Sequence, residues 1–263
     1  MRALLISYQV AAYYASFAFF VVLAFALNCL CLLAGLLPST DKLERFFQRL
    51  IHRNFALFVR WLRFSGIVPV HYDGYGFSHV PARTGRVIVA NHPGLMDVGW
   101  VLARVPEAVC VYKPDVGHNP LFGATARRAG YLASNRGYHM LRAAAAKLAA
   151  GHTLLVFPEG TRSSAGTLNP LKPGFVVMAR VARVPIQLVR IQCDSELLTK
   201  RRPWWRVPRL PARITVSLGP CLPPPGKDTN AVINEIEAWF RSVPSDNAFA
   251  PAPMAPVPVA LRT

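Results

Sequence analysis

The chain has 263 residues, and 30 Lys and Arg against 13 Asp and Glu leave it a formal charge of +17. That length gives one ordinary domain with appendages, and the charge narrows a large partner to nucleic acid or an anionic membrane surface. The five cysteines, Cys29, Cys31, Cys110, Cys193 and Cys221, are odd in number and show no CxxC spacing, which argues against a disulfide frame or a zinc site.

Residues 3–37 carry no charged side chain. As a helix they extend on the order of 50 Å, against a hydrocarbon core of about 30 Å. Tyr8, Gln9, Tyr13, Tyr14 and Ser16 suit the first part to an interface, and residues 17–37 suit a span. A cleaved signal peptide fits poorly, because only Arg2 precedes an unusually long apolar region and no small-residue cleavage site follows. Basic residues after the segment place the remainder on the cytoplasmic side of an inner membrane, so 1–40 reads as a membrane anchor. Pro38 closes it, and Asp41 with Glu44 has the spacing of a capping box opening a new helix. Lys42, Arg45, Arg49, His52, Arg53, Arg60 and Arg63 fall within an arc of roughly 100° on that helix. Phe46, Phe47, Leu50, Phe58, Trp61 and Leu62 fill the rest. The pattern predicts a basic amphipathic helix over 41–65, lying on anionic lipid or packed on the domain with its charges in water.

From Gly66 short apolar runs alternate with helical ones, which predicts an α/β domain over 66–243 with a mostly parallel central sheet flanked by helices. The expected strands are 86–90, 108–112, 153–157, 186–192 and 213–218. The expected helices are 95–104, 120–129, 138–150 and 175–182, with a last amphipathic helix around Val232 to Phe240. The Pro- and Ala-rich tail, 244–263, reads as disordered.

Two stretches carry the chemistry. Asn91-His92-Pro93-Gly94-Leu95-Met96-Asp97 follows the first strand. His92 and Asp97 would lie about 140° apart on a continuous helix. His92 is therefore expected in the turn, with Pro93 opening the helix and Asp97 one turn inside it, so that the carboxylate holds the imidazole from behind. Phe157-Pro158-Glu159-Gly160-Thr161-Arg162-Ser163 follows the third strand, with Gly160 permitting close approach and Arg162 offering a fork for an anion. In an open parallel sheet both would face one crevice beyond the carboxyl ends of the strands.

Together NHPGLMD and FPEGTRS resemble the glycerolipid acyltransferase family, best known for the 1-acylglycerol-3-phosphate acyltransferases, and the similarity runs over about residues 86–192. The resemblance implies a glycerol-3-phosphate acyltransferase-like fold, with His92 as general base and Asp97 as its orienting partner. It further implies that Glu159, Gly160, Thr161 and Arg162 bind the acceptor's phosphate, with Arg136, Lys113 and Lys172 as further substrate-binding residues. Gly94 or Leu95 stands where the family usually has Ser, Asn135 where it has Asp, and Leu188 where a second proline normally closes the Val-Pro-Ile block.

The expected activity is transfer of a fatty acyl group from acyl-CoA or acyl carrier protein to the hydroxyl of a lysophospholipid, 1-acyl-sn-glycerol 3-phosphate first, without bound cofactor or metal. Because its wording is also similar to a bacterial subgroup, acylation of a lyso-ornithine lipid or an aryl-polyene glycolipid is the same-class alternative. A catalytically silent lipid-binding protein is the other. Residues 200–206 mix basic and aromatic side chains that suit nucleic acid or lipid head groups. Given the amino-terminal segment they are read as touching membrane, with no nucleic-acid partner.

Overall fold

The computed structural model describes residues 1–74, 85–135, 137–163, 167–200 and 202–242. Among these, seven strands form one sheet: β1 (Val70–Asp73), β2 (Arg86–Ala90), β3 (Ala108–Tyr112), β4 (Leu132–Ala133), β5 (Thr153–Val156), β6 (Ile186–Cys193) and β7 (Ile214–Leu222). Helices α1 (Arg2–Leu33), α2 (Asp41–Ser65), α3 (Asp97–Leu102), α4 (Pro114–His118), α5 (Gly123–Arg128), α6 (Gly137–Ala149), α7 (Gly174–Ala182) and α8 (Thr229–Ser242) surround it.

β2 sits at the centre. Its residues Val87 to Ala90 are all buried because both faces of the strand are covered. Ile88 and Ala90 point to a layer containing Phe47, Phe58 and Trp100 of α2 and α3. Val87 and Val89 point to the opposite layer, with Leu148, Phe175, Met178 and Ile236 of α6, α7 and α8. The strand order is β1-β7-β6-β2-β5-β3-β4, parallel except for the β6–β7 pair. The carboxyl ends of β2, β5 and β3 therefore lie side by side on one edge, and the loops leaving them share a rim. The register of β6 against β7 shifts between Gln187 and Val189, beside the missing second proline, and buried Gln187 donates from Nε2 to the Gly219 carbonyl at 2.7 Å.

Several local expectations are corrected. α3 begins at Asp97, so Pro93 lies in the preceding turn and does not open the helix. Thr40, not Asp41, caps α2, its side chain accepting from the Leu43 N–H at 3.3 Å. Asp41 turns instead to Arg45 (2.8 Å) and to Nε2 of His152 (2.6 Å). The basic stripe of α2 is divided. Arg45 and Arg49 pair with Glu107, and His52 Nδ1 donates to the Leu102 carbonyl. Lys42, Arg53, Arg60 and Arg63 remain exposed beside Phe46, Leu57 and Phe64. A helical wheel gives the stripe but not which edge of it meets a neighbour.

α1, with the short turn after it, is long and apolar enough to cross a membrane, by length and composition. It is docked lengthwise on the domain. Tyr8 donates to the Ser65 carbonyl, Trp61 Nε1 to Ser16 Oγ, Asn54 to the Leu23 carbonyl, and buried Asn28 to the Pro120 carbonyl while accepting from the Thr125 N–H. Tyr8 and Asn28 stand about 30 Å apart along the helix axis. The helix expected as a membrane anchor thus also packs along the domain over this stretch. The helix keeps an uncharged outward strip that includes Tyr14, Val22, Phe25, Leu30 and Leu33. The tail from 244 lies outside the described residues.

Candidate active site

The turn after β2 is fixed from its first residue. Asn91 closes a two-way bond with β6, its Oδ1 accepting from Ile191 N–H at 2.7 Å and its Nδ2 donating to the Ile191 carbonyl at 2.9 Å. The side chain continues the β2–β6 ladder one residue beyond the strand and aims the chain into His92. Nothing in the sequence marks Asn91 for this, because its partner is a backbone group.

His92 Nδ1 lies 2.8 Å from Asp97 Oδ2, and the same oxygen accepts the Gly94 N–H at 2.7 Å. Asp97 is 2% exposed, and burial pushes its carboxyl above the ordinary carboxylate range. The hydrogen bonds and charge of His92 and the Gly94 N–H oppose that rise, while the negative charge of Glu159 adds to it. Two N–H groups converging on one oxygen are the arrangement an ionised carboxylate accepts. With Asp97 ionised, Nδ1 carries the proton and Nε2 presents its lone pair. The imidazole is partly exposed and packs on Phe157, ring centres 4.6 Å apart.

The second motif clamps the backbone of the first. Glu159 Oε1 accepts the His92 N–H at 2.9 Å, and the His92 carbonyl accepts the Ser163 N–H at 2.7 Å. Glu159 is 4% exposed and fully engaged, accepting also from Ser163 Oγ and, at 2.9 Å, from the Asn169 N–H. Both oxygens of Glu159, expected among the residues that bind substrate, here accept from the site's own groups and hold the histidine turn against the loop after β5.

The expected cations are disposed differently. Arg162 is half-buried, and its Nη1 donates to the carbonyls of Leu198 (3.1 Å) and Thr199 (3.3 Å). No ion pair among the described residues includes it. Lys172 lies over Gly160, whose φ is +67°. The positive φ is what favours glycine here, and a Cβ at Gly160 would stand 2.8 Å from Lys172 Nζ, the movable end of that side chain. Lys113 is exposed at the carboxyl end of β3, on the same rim as His92 and the 157–163 loop. Thr161 is half-buried within that loop. Arg136 lies outside the described residues.

The N–H groups of His92, Gly94 and Leu95 are all occupied, by Glu159, Asp97 and the Leu198 carbonyl respectively. Leu198 and Thr199 are the site's contribution that sequence reasoning missed. They are 36 and 37 residues from Arg162, in a loop without a motif, and they act through carbonyls.

Residues 73–192 match the family model described as Acyltransferase. The chain is 30% identical over 125 residues to a 1-acyl-sn-glycerol-3-phosphate acyltransferase of Cocos nucifera, covering 45% of this chain and 39% of that one. It is 30% identical over 109 residues to the protein of the same name from Helicobacter pylori (39% of this chain, 46% of that one) and 31% identical over 183 residues to that of Limnanthes alba (67% and 61%). The chain thus spans between about two fifths and three fifths of the length of these curated relatives. The crystal structure of the 1-acyl-sn-glycerophosphate (LPA) acyltransferase PlsC from Thermotoga maritima superposes with a TM-score of 0.66 at 20% identity, over 92% of this chain and 95% of that one. Residues 73–192 therefore match an acyltransferase domain in sequence, and the chain shares its fold with the Thermotoga protein.

Proposed function

We propose that the chain transfers a fatty acyl group from a thioester donor, acyl-CoA or acyl carrier protein, to the free hydroxyl of a lysophospholipid, 1-acyl-sn-glycerol 3-phosphate first among acceptors. One observation carries the reading: His92 is held by Asp97 through Nδ1 at 2.8 Å, at the sheet edge where Arg162, without an ion pair among the described residues, and the exposed Lys113 and Lys172 also stand. His92 Nε2 takes the proton of the acceptor hydroxyl as its oxygen attacks the thioester carbonyl. The tetrahedral intermediate then collapses, the C–S bond breaks, and the imidazolium returns the proton to the departing thiolate. General base catalysis of this kind contributes ~10² to 10⁴ in rate, with positioning of the two substrates adding to it. Asp97 keeps the imidazole in the tautomer that accepts and steadies the imidazolium. Arg162, with Lys172 and Lys113, receives the anionic head of the acceptor. The names of the curated relatives support this choice of acceptor.

The work is done on a membrane, we infer, with α1 and α2 lying along the lipid boundary rather than one of them standing through it. The outward strip of α1 and the alternation of Phe46, Leu57 and Phe64 with Lys42, Arg53 and Arg60 on α2 support that placement. The membrane is taken to be the inner one, with the domain on its cytoplasmic face.

The test offers labelled acyl-CoA and acyl carrier protein to the detergent-purified chain with lysophosphatidate, lyso-ornithine lipid and lysophosphatidylcholine in parallel. Phosphatidate formed by the unaltered chain and absent with His92→Ala is the expected result. Product from another acceptor alone keeps the chemistry and overturns the acceptor. Equal product from His92→Ala overturns the mechanism.

A further inference from the structure

Arg162 is positioned by a loop that belongs to neither motif. Leu198, whose carbonyl it binds, has a φ of +55°, a left-handed backbone that branched side chains rarely adopt and that persists only where the surroundings fix it. The same carbonyl accepts the Leu95 N–H at 3.1 Å, so one strained peptide ties Arg162 to the turn that carries His92. Further along, Arg202 binds the Glu196 carboxylate and the Val207 carbonyl and closes the loop upon itself. The loop then meets α1. Tyr13 Oη donates to the Trp204 carbonyl at 2.6 Å, Tyr14 Oη donates to the Trp205 carbonyl at 2.9 Å, and Phe17 stacks on Trp204 with ring centres 4.4 Å apart.

Trp204 and Trp205 are 45% and 58% exposed, with the cations Lys200 and Arg206 exposed near them. Broad amphipathic rings beside cations suit the boundary of an anionic bilayer. The patch continues the uncharged outward strip of α1 through Tyr14, which is itself 44% exposed. A bilayer lying along that strip therefore also meets the tryptophans.

We propose that residues 195–200 and 202–206 act as a strap that positions Arg162 from α1. The tryptophans rest on an anionic lipid surface, and their seating on Tyr13, Tyr14 and Phe17 sets where the Leu198 and Thr199 carbonyls stand, and so where Arg162 meets the acceptor's negative head. Membrane docking and recognition of the acceptor's charge are then linked through one loop. The inference rests on the acyl-transfer reading above for the nature of the acceptor.

The test is Tyr13→Phe combined with Tyr14→Phe, which removes two hydroxyls and leaves the rings. The full chain is assayed on phosphatidylglycerol vesicles with lysophosphatidate, and separately with the uncharged monoacylglycerol, against the same thioester. The apparent KM for lysophosphatidate is expected to rise about three- to tenfold, the worth of one or two hydrogen bonds, with kcat nearly unchanged. The KM for monoacylglycerol should not move, because Arg162 acts on charge. An unmoved lysophosphatidate KM, or equal losses for both acceptors, overturns the strap. If the double variant melts early, Phe17→Leu breaks the ring stack alone and is read by the same ratio. Direct calorimetric binding of lysophosphatidate and monoacylglycerol gives that ratio without turnover. An unaltered chain that binds selectively but never transfers counts against the acyl-transfer reading, whereas transfer with an unmoved ratio counts against the strap alone. Trp204→Ala with Trp205→Ala should weaken binding to phosphatidylglycerol vesicles and raise the same KM; undiminished vesicle binding overturns the lipid contact.

Discussion

The histidine turn and the cationic side of the site are built on opposite rules. Around His92 the polar groups are closed upon one another: Asp97 takes the imidazole and the Gly94 N–H, Glu159 takes the His92 N–H, and Ser163 returns a bond to the His92 carbonyl. Among the described residues Arg162 donates to the carbonyls of Leu198 and Thr199, and Lys113 and Lys172 stand exposed. A base must hold one geometry through the reaction, so its surroundings are satisfied in advance. A receptor for an anion must keep its charge uncancelled until the anion arrives, so its partners are dipoles rather than carboxylates. The comparison predicts that substitutions on the first side lower kcat and those on the second raise KM.

The largest effect is expected from Asp97→Asn. The carboxamide fits the space but can present its NH2 to Nδ1, which favours the opposite imidazole tautomer. A fall in kcat of about 10⁴, as for the equivalent change in a Ser-His-Asp site, is expected with acceptor KM nearly constant. A fall confined to KM would mean that Asp97 holds substrate rather than His92.

Glu159→Gln divides the two sides more sharply, because sequence resemblance groups Glu159 with the phosphate-binding residues while the structure encloses it. Glutamine places an NH2 where at least one of the His92 N–H, the Asn169 N–H or Ser163 Oγ needs an acceptor. One such loss costs about 1–3 kcal/mol, roughly five- to 150-fold in kcat if the histidine turn loosens in proportion. An unchanged kcat with raised acceptor KM would return Glu159 to the binding side.

Arg162→Ala should raise the KM for lysophosphatidate by roughly ten- to 100-fold, the worth of a charge-assisted hydrogen bond, and leave kcat within a few-fold. Arg162→Lys should recover only part, because an ammonium lacks the planar fork.

What was legible in the sequence follows the same division. The β2 and β3 boundaries are legible because each holds an unbroken apolar run, 87–90 and 108–112, beside polar residues, whereas the β5 run is one residue too long at Phe157. β1 was missed because its half-exposed Val-His-Tyr-Asp pattern at the sheet edge gives no such run, and two-residue β4 gives no period at all. His92 and Asp97 were legible as a pair because both lie in one seven-residue stretch. The carbonyls of Leu198 and Thr199 were not, since any residue has a carbonyl and only the fold brings these two to Arg162. The tyrosines of α1 were read as lipid-boundary residues, yet Tyr13 and Tyr14 bond to carbonyls 191 residues away. Local periodicity contains no trace of such a partner.

The smallest effect concerns the far end of α2, which joins the domain through groups closed upon one another, as at the histidine turn. His152 is 2% exposed, its Nε2 faces Asp41, and its buried Nδ1 has no hydrogen-bond partner among the described residues. Burial lowers its pKa below the ordinary 6.5, aided by the positive charges of Arg45 and Lys147 and opposed by Asp41. The unfolded chain therefore takes up a proton as pH falls through 6.5 while the folded chain does not, and stability declines below that pH. The slope is at most about 1.4 kcal/mol per pH unit for one proton. Asp41 and Glu107 act lower: their carboxyls are held below 3.8 and 4.5 by Arg45, with His152 and Arg49, so the stability they contribute is present above those values and lost as pH falls through the depressed ones. His152→Leu keeps the site filled and removes the titrating group. Its melting temperature should fall less steeply below pH 6.5 than that of the unaltered chain. Parallel curves throughout would mean that His152 takes up its proton equally in the folded chain, with Asp41 outweighing burial at this junction.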